Sequence, residues 1–412
     1  MQTQTNKVLV TAALGALAAG GASAYEVPLT FFGSNTPPLE FHGFASQGFL
    51  LSSDYNYLAN DTKNGSFLFS EMGLNVSMNP FPHTRIAVQG FDFNVGNVGQ
   101  YDPFLDYALI EYTVNDEVGI RAGRIRRPAG IYNDIQDIDL ARTFVLLPQG
   151  MYDARWRDWS AGLDGGELFG EFKLPKVGSL SYAAYAGLVN MQENGGVARY
   201  AANANGLQVD SMDDTPTFGG QLWYNTPVDG LRVGANVTYM NDFGFTGHLF
   251  SPIPVAPGVY LPGNISLHDV GNVLFQQFSV EYLWHDWTFQ AEWATYDFSG
   301  WSHERIYLPA LHKSMPALSA AGDNPDTWYA AVSHRLNKHV ELGTYYTMWT
   351  DGGLKQNDLA LSLRLDLKDW WIFKIEGHYL EGTGLLRDTP DNPHQSNNGG
   401  WFMLALKTTV SF

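Results

Sequence analysis

The sequence predicts an all-β protein: a 16-stranded antiparallel transmembrane β-barrel with one long loop folded into the lumen as a constriction. Three observations carry this reading. Apolar and polar residues alternate with a period of two in segment after segment, which marks strands with one greasy and one wet face. Sixteen such segments lie between residues 40 and 412, an even number. Tight turns and long loops alternate between them, as in membrane barrels with short turns at one rim and long loops at the other. A soluble sandwich has no reason to sort its connections by parity.

Composition agrees. The 412 residues suffice for two or three soluble domains or one large closed sheet. Charged residues make up 16% of the chain, below the roughly 25% of soluble domains. Asp and Glu outnumber Lys and Arg by 42 to 24, which argues against nucleic acid as a partner. The absence of Cys suits passage through an oxidising periplasm. A mean hydropathy of -0.17 argues against a helical membrane protein.

At the amino terminus Lys7 precedes the apolar run Val8 to Ala22, and Ala22-Ser23-Ala24 follows. A positive start, a short apolar core and an A-x-A site describe a signal peptide over 1–24. Cleavage after Ala24 leaves Tyr25 first and moves the formal charge from -18 to -19, because Lys7 is the only charged residue removed. Residues 25–39, with Pro28, Pro37 and Pro38, read as a periplasmic lead-in, and 40–412 as the barrel. After Ala24 no stretch approaches the ~20 apolar residues of a spanning helix.

The predicted strands are 40–52, 67–79, 83–95, 103–114, 117–126, 158–174, 179–189, 215–226, 230–243, 272–284, 287–300, 326–336, 339–350, 355–367, 370–382 and 400–412. Tight turns follow the even-numbered ones, as at Asn115-Asp116, His285-Asp286 and Lys368-Asp369. Long connections follow most odd-numbered ones: 53–66, 127–157, 190–214, 244–271, 301–325 and 383–399. Leu359, Leu361, Leu363, Leu365 and Leu367 alternate with Ala360, Ser362, Arg364, Asp366 and Lys368. An Arg or Lys against lipid costs about 2–4 kcal/mol at the midplane, so the charged set must face the lumen. Inverted, with a dry core, the pattern fails because side chains do not fill sixteen strands. Trp223-Tyr224, Trp284, Trp287 and Trp370-Trp371 sit beside turns, as an interfacial aromatic girdle would. The segment 158–174 is long for one strand, and Asp164-Gly165-Gly166 reads as a bulge within it.

In the last segment Phe402, Leu404, Leu406, Thr408, Val410 and Phe412 share one face. The aromatic ending resembles the closing strand of bacterial outer-membrane barrels, which implies that Phe412 is an assembly signal read by barrel-assembly machinery.

Loop 127–157 is the informative connection. It is long, rich in apolar residues such as Ile131, Phe144, Val145 and Leu146, and suited to packing inside a barrel. Arg121, Arg124, Arg126, Arg127, Arg142, Arg155 and Arg157 are seven of the fourteen arginines, gathered with Asp134, Asp137, Asp139 and Asp153. Facing rows of Arg and Asp across a constriction would set up a transverse field that weighs ions by sign. The competing reading is that these charges pair with one another to anchor the loop.

Gly123-Arg124, Pro128, Gly130, Tyr132-Asn133, Asp137, Arg142, Pro148-Gln149 and Tyr152, with Phe41 to Phe49 at the first strand, resemble trimeric outer-membrane porins, particularly the family related to phosphate-selective porins. The resemblance implies a homotrimer of separate pores in the lipid and lipopolysaccharide of a Gram-negative outer membrane, passing small hydrophilic solutes without a cofactor. Basic residues are sparse outside 121–157, so a phosphate ladder is missing; an anion or dicarboxylate preference is what the Arg cluster would confer. The chain has no Gly-x-Ser-x-Gly, phosphate-binding Gly loop or His-Glu-x-x-His, and its spacings suggest neither an enzyme nor a metal site. Asp210, Asp213 and Asp214 read as a solvated acidic tip. The alternative function is a sealed barrel whose loops 190–214, 244–271 and 301–325 act as receptor or adhesin.

Overall fold

The computed structural model describes residues 25–27, 37–59, 61–96, 98–386 and 399–412. The expected signal peptide, most of the lead-in and much of the 383–399 loop lie outside the described residues. Sixteen strands form the wall: β1 Leu39–Ser52, β2 Phe69–Phe81, β3 Thr84–Val95, β4 Phe104–Asn115, β5 Val118–Arg126, β6 Gly162–Leu174, β7 Gly178–Val189 and β8 Thr215–Asn225; then β9 Leu231–Ala256, β10 Val259–Trp284, β11 Trp287–Leu308, β12 Asp326–Asn337, β13 Val340–Asp351, β14 Leu354–Lys368, β15 Trp371–Gly382 and β16 Gly400–Ser411. Each pairs antiparallel with its neighbours in chain order, and β16 returns to β1 from Met403↔Ser52 to Ser411↔Phe44. The sheet is closed, so no barrel edge is left to recruit another chain. No helix among the described residues is long and apolar enough to cross a membrane.

The alternation sorts side chains as expected. Leu361 is 64% exposed on the outside of β14, whereas its neighbour Ala360 is wholly buried inside. Leu74, Ile110, Ile120, Phe218, Phe278 and Phe402 are likewise exposed, while Lys374, Glu376, Glu292 and Lys407 are buried. Hydrocarbon outside and charge inside is the inverse of a soluble protein, and it matches a solvent of lipid. Trp284, Trp287 and Trp371 are exposed beside their turns, as a girdle requires. Trp223 departs from that expectation: it shares the inward face with Gln221 and carries the Arg232 guanidinium 4.4 Å above its ring.

Short turns follow every even-numbered strand from β2 to β14, within a residue or two of the predicted positions, and two-residue turns also follow β9 and β13. Three other expectations need correction. Asp164-Gly165-Gly166 is not a bulge, because β6 keeps continuous register with both β5 and β7. The surplus length is taken up by a short helix, Arg157–Ser160. The glycines serve close backbone approach instead: a Cβ on Gly165 would lie 2.1 Å from the Ala186 carbonyl oxygen. Segment 244–271 is not a loop but the upper part of a hairpin, since β9 and β10 each run 26 residues and pair to Ala256↔Val259. That is roughly 85 Å at 3.3 Å per residue, well beyond the 9–11 residues that span a bilayer. Pro252, Pro254 and Pro262 lie near the tip, where each strand has a free edge that tolerates proline. Segment 301–325 is also mostly strand, with Lys313–Asp323 folding back along β11. Segment 190–214 holds the helix Gly196–Asn205 and a strand, Gln208–Met212, laid on β9.

The seam is closed by the last residue. Phe412 and Gly43 exchange two backbone hydrogen bonds of 3.1 and 2.9 Å. The Phe412 ring covers Gly43 so closely that a Cβ there would lie 2.6 Å from ring atoms. Gly43→Leu should therefore reduce the fraction of heat-modifiable barrel on unboiled gels after refolding. Gly377→Leu, where a Cβ meets nothing within 4 Å, should refold like the parent.

Candidate functional site

The chain leaves β5 at Arg126, turns into the barrel and rejoins the wall at Gly162. Its neck is clipped by the Arg127 amide donating to the Ala161 carbonyl at 2.9 Å. Asn133 Nδ2 donates to the carbonyls of Arg127 (2.7 Å) and Ser160 (2.9 Å), drawing the two legs together. From there the loop is held by three charged anchors, each built from inward-facing wall residues.

The first is Glu292 on β11. It accepts from the Ile131 amide (3.0 Å), Ser279 Oγ (2.5 Å), Gln277 Nε2 (3.1 Å), Tyr329 OH (2.8 Å) and the Tyr152 hydroxyl. Beside it Tyr132 OH donates to Gln290 at 2.6 Å. Gly130 must be glycine here, since its φ is +61° and a Cβ would lie 2.2 Å from Gln277 Nε2.

The second anchor spans β14 to β2. Glu376 on β15 accepts from the amides of Val145 and Leu146, both at 2.9 Å. Lys374 donates to the carbonyls of Asp139 (2.8 Å) and Phe144 (3.0 Å). Asp139 itself receives Lys407 of β16 (2.8 Å), Arg142 (2.8 Å) and Thr409 Oγ1 (2.7 Å), and Lys407 also meets Glu71 of β2 at 2.5 Å. Arg364 completes the set by donating to the carbonyls of Leu140 and Arg142.

The third anchor joins Asp137 in the loop to Arg126 and Arg157, with Asp106 of β4 bonded to Arg126. Arg157 also lies 4.5 Å above the Phe91 ring. All these groups except the partly buried Arg126 are buried, so each would be costly alone; breaking a buried pair costs ~3–5 kcal/mol. Together the anchors tie the loop to wall strands on opposite sides of the barrel.

The predicted residues thus divide. Arg126, Asp137 and Arg157 meet in one anchor, Asp139 and Arg142 in another. Arg155 pairs with Asp153 (2.5 Å), Arg124 with Asp164 (3.2 Å), and Arg121 on the wall with Glu111 (2.7 Å) and Glu167 (3.2 Å). Asp134 is exposed and within electrostatic reach of Arg121, Arg126 and Arg232. Arg127 is buried and joins no ion pair among the described residues. Most of the cluster therefore forms contact pairs, not opposing rows, because removing so many charges from water demands immediate partners. Sequence reasoning missed Glu292, Lys374, Glu376, Lys407, Glu71 and Asp106. Charges on the wet face in mid-strand were the available signal, as where Lys374 and Glu376 alternate with Phe373 and Ile375. Among the described residues no group of three or more His, Asp or Glu is arranged to hold a metal. Asp210 and Asp213 instead meet His248 (2.9 Å) and His268 (2.8 Å) on the β9–β10 hairpin.

Behind the loop, Asp158 lies under the start of helix Gly196–Asn205, its Oδ2 2.1 Å from where a Gly195 Cβ would be. Burial pushes its carboxyl up to about 7, against the pull of the Val197 amide.

No family model matches the chain, and no curated protein matches it. Among solved structures it is similar to OmpT of Vibrio cholerae, with 10% identity and a TM-score of 0.53, over 92% of this chain and 99% of that one. It is also similar to Salmonella typhi OmpF solved in complex with daunomycin, with 11% identity and a TM-score of 0.54, over 94% of this chain and 100% of that one. At such identities the likeness is one of fold: a porin-like outer-membrane β-barrel.

Two outcomes follow from the anchors. Glu376→Ala leaves the buried amides of Val145 and Leu146 without their acceptor, a loss of about 1–3 kcal/mol for each; amide exchange of 139–147 should rise sharply while the wall strands stay protected. The raised pKa of Asp158 means that its protonated form favours the folded site. That contribution is full below about pH 4 and is lost as pH rises through about 7. Exchange protection of 190–205 should fall between pH 5 and 8, after correction for intrinsic rates, and Asp158→Asn should abolish the fall.

Proposed function

We propose that this protein is an outer-membrane porin that lets small hydrophilic solutes and ions diffuse passively through a lumen narrowed by loop 127–157. The observation that carries the reading is the loop itself, stapled into a wet, charged interior by Glu292, Glu376, Lys374, Lys407 and Asp137. A barrel of sixteen strands is too wide for wall side chains alone to fill, and a loop fixed at mid-height sets the aperture. Ion selectivity is weak in this reading, because most constriction charges neutralise one another at contact distance. What selectivity there is comes from Asp134, which is exposed, and from Arg127, which supplies the anion or dicarboxylate preference. Residues 1–24 would be removed on export, Phe412 would present the assembly signal, and the mature protein would sit as a homotrimer among outer-membrane lipid and lipopolysaccharide.

One observation favours a second role as a surface receptor or adhesin: the β9–β10 hairpin stands far above the bilayer. Planar-bilayer recording separates the two. A porin gives stable stepwise currents, whereas a sealed receptor passes none. In a salt gradient, Asp134→Asn should move the reversal potential towards anion preference and Arg127→Gln towards cation preference. If neither substitution moves it, these residues do not line the aperture.

A further inference from the structure

Above the first anchor, a cavity of about 340 Å³ opens between the loop and the wall. Its walls are aromatic: Trp159, Phe243, Phe275, Tyr296, Phe298 and Trp349 all reach it. Arg127 forms part of its lining, and that guanidinium differs from the other loop arginines. Its Nε and Nη1 are buried with no hydrogen-bond partner, as are those of Arg126, but among the described residues no carboxylate pairs with it. It is held instead by rings, 5.4 Å from the Trp159 centroid and 6.0 Å from that of Phe275. A buried cation with free donors is expensive to keep, and the nearby arginines that serve only as anchors all have carboxylate partners. Planar guanidinium donors match a carboxylate in bidentate fashion, and the surrounding rings match a flat apolar body.

We propose that this cavity is a binding site on the solute path for small aromatic carboxylates, with the carboxylate on Arg127 and the ring among Trp159, Phe275 and Tyr296. The proposal rests on the porin reading and names a solute class for it. Other charges reach the cavity and set the ligand's orientation. Asp153 is paired with Arg155. Asp269 lies six residues beyond Phe275 along β10, roughly 20 Å towards the loops at 3.3 Å per residue. Asp323 pairs across from Phe298, and Asp351 ends β13 at the loop rim. Asp269, Asp323 and Asp351 therefore lie towards the entrance, Asp153 and Arg155 neutralise each other, and a ligand carboxylate is favoured at Arg127. A cavity of this size falls in the range of small-molecule sites, roughly 300–1,000 Å³.

The test is calorimetric titration of the full-length barrel in detergent micelles with benzoate, benzyl alcohol and phenethylamine, alongside salt conductance in bilayers. Benzoate should bind about tenfold or more tightly than benzyl alcohol, the difference a charge-assisted bidentate contact supplies. Arg127→Met should lose that advantage and Arg127→Lys retain part of it, with folding checked by heat-modified gel mobility. Equal binding of benzoate and benzyl alcohol, a preference for phenethylamine, or unchanged benzoate affinity in folded Arg127→Met would each overturn the proposal. If the methionine variant does not fold, the comparison of the three probes on the unaltered protein still decides. Salt conductance without benzoate binding leaves the porin reading standing and removes this site; benzoate binding without conductance does the reverse.

Discussion

Hydrocarbon on the outside of the wall dictates where every charge in this protein can go. A strand offers only two faces, so once Leu359, Leu361 and Leu363 point to lipid, Arg364 must point inward, as must Lys374 and Glu376 on the next strand. The interior therefore receives charges in numbers no protein core would tolerate unpaired. The loop between β5 and β6 answers that constraint. It brings Asp137, Asp139 and Arg142 to wall residues and offers backbone amides and carbonyls to Glu376, Lys374 and Arg364. The result is polar packing in the middle of the barrel, held by electrostatics where a soluble protein would use leucine.

This holds the loop where it is anchored and leaves few of its charges without a contact partner among the described residues. Asp134 is exposed, and Arg127 keeps free donors. Asp139, which receives Lys407, Arg142 and Thr409, is structural by the same standard, and Arg142 is held by its pair with Asp139. Concentration of arginine in one stretch is a guide to where the loop lies, and the contacts of each arginine tell which of them serve to hold it.

How much of this was legible beforehand follows from the same physics. The strand number, their parity and the inward face could be read, because a period of two combined with a lipid penalty leaves few alternatives. The loop's place was legible from its length and its mix of Ile131, Phe144 and arginines. Its anchors were not, because Glu292 and Lys407 look like any other wet-face residue until the loop lies beside them. The upper hairpin was misread because Gly and the prolines at 252, 254 and 262 signal a loop, yet a free edge accepts them. Trp223 was placed in the girdle on proximity to a turn, where its parity with Gln221 assigns it inward.

The claim that lipid surrounds the barrel and a polar interior fills it can be tested strand by strand. The chain has no cysteine, so single cysteines along 359–366 of β14 would each carry one spin label in protein reconstituted into phospholipid vesicles. Collision with oxygen, which concentrates in hydrocarbon, should be high at 359, 361, 363 and 365 and low at 360, 362, 364 and 366. Loss of the two-residue alternation, or its reversal, would contradict the account.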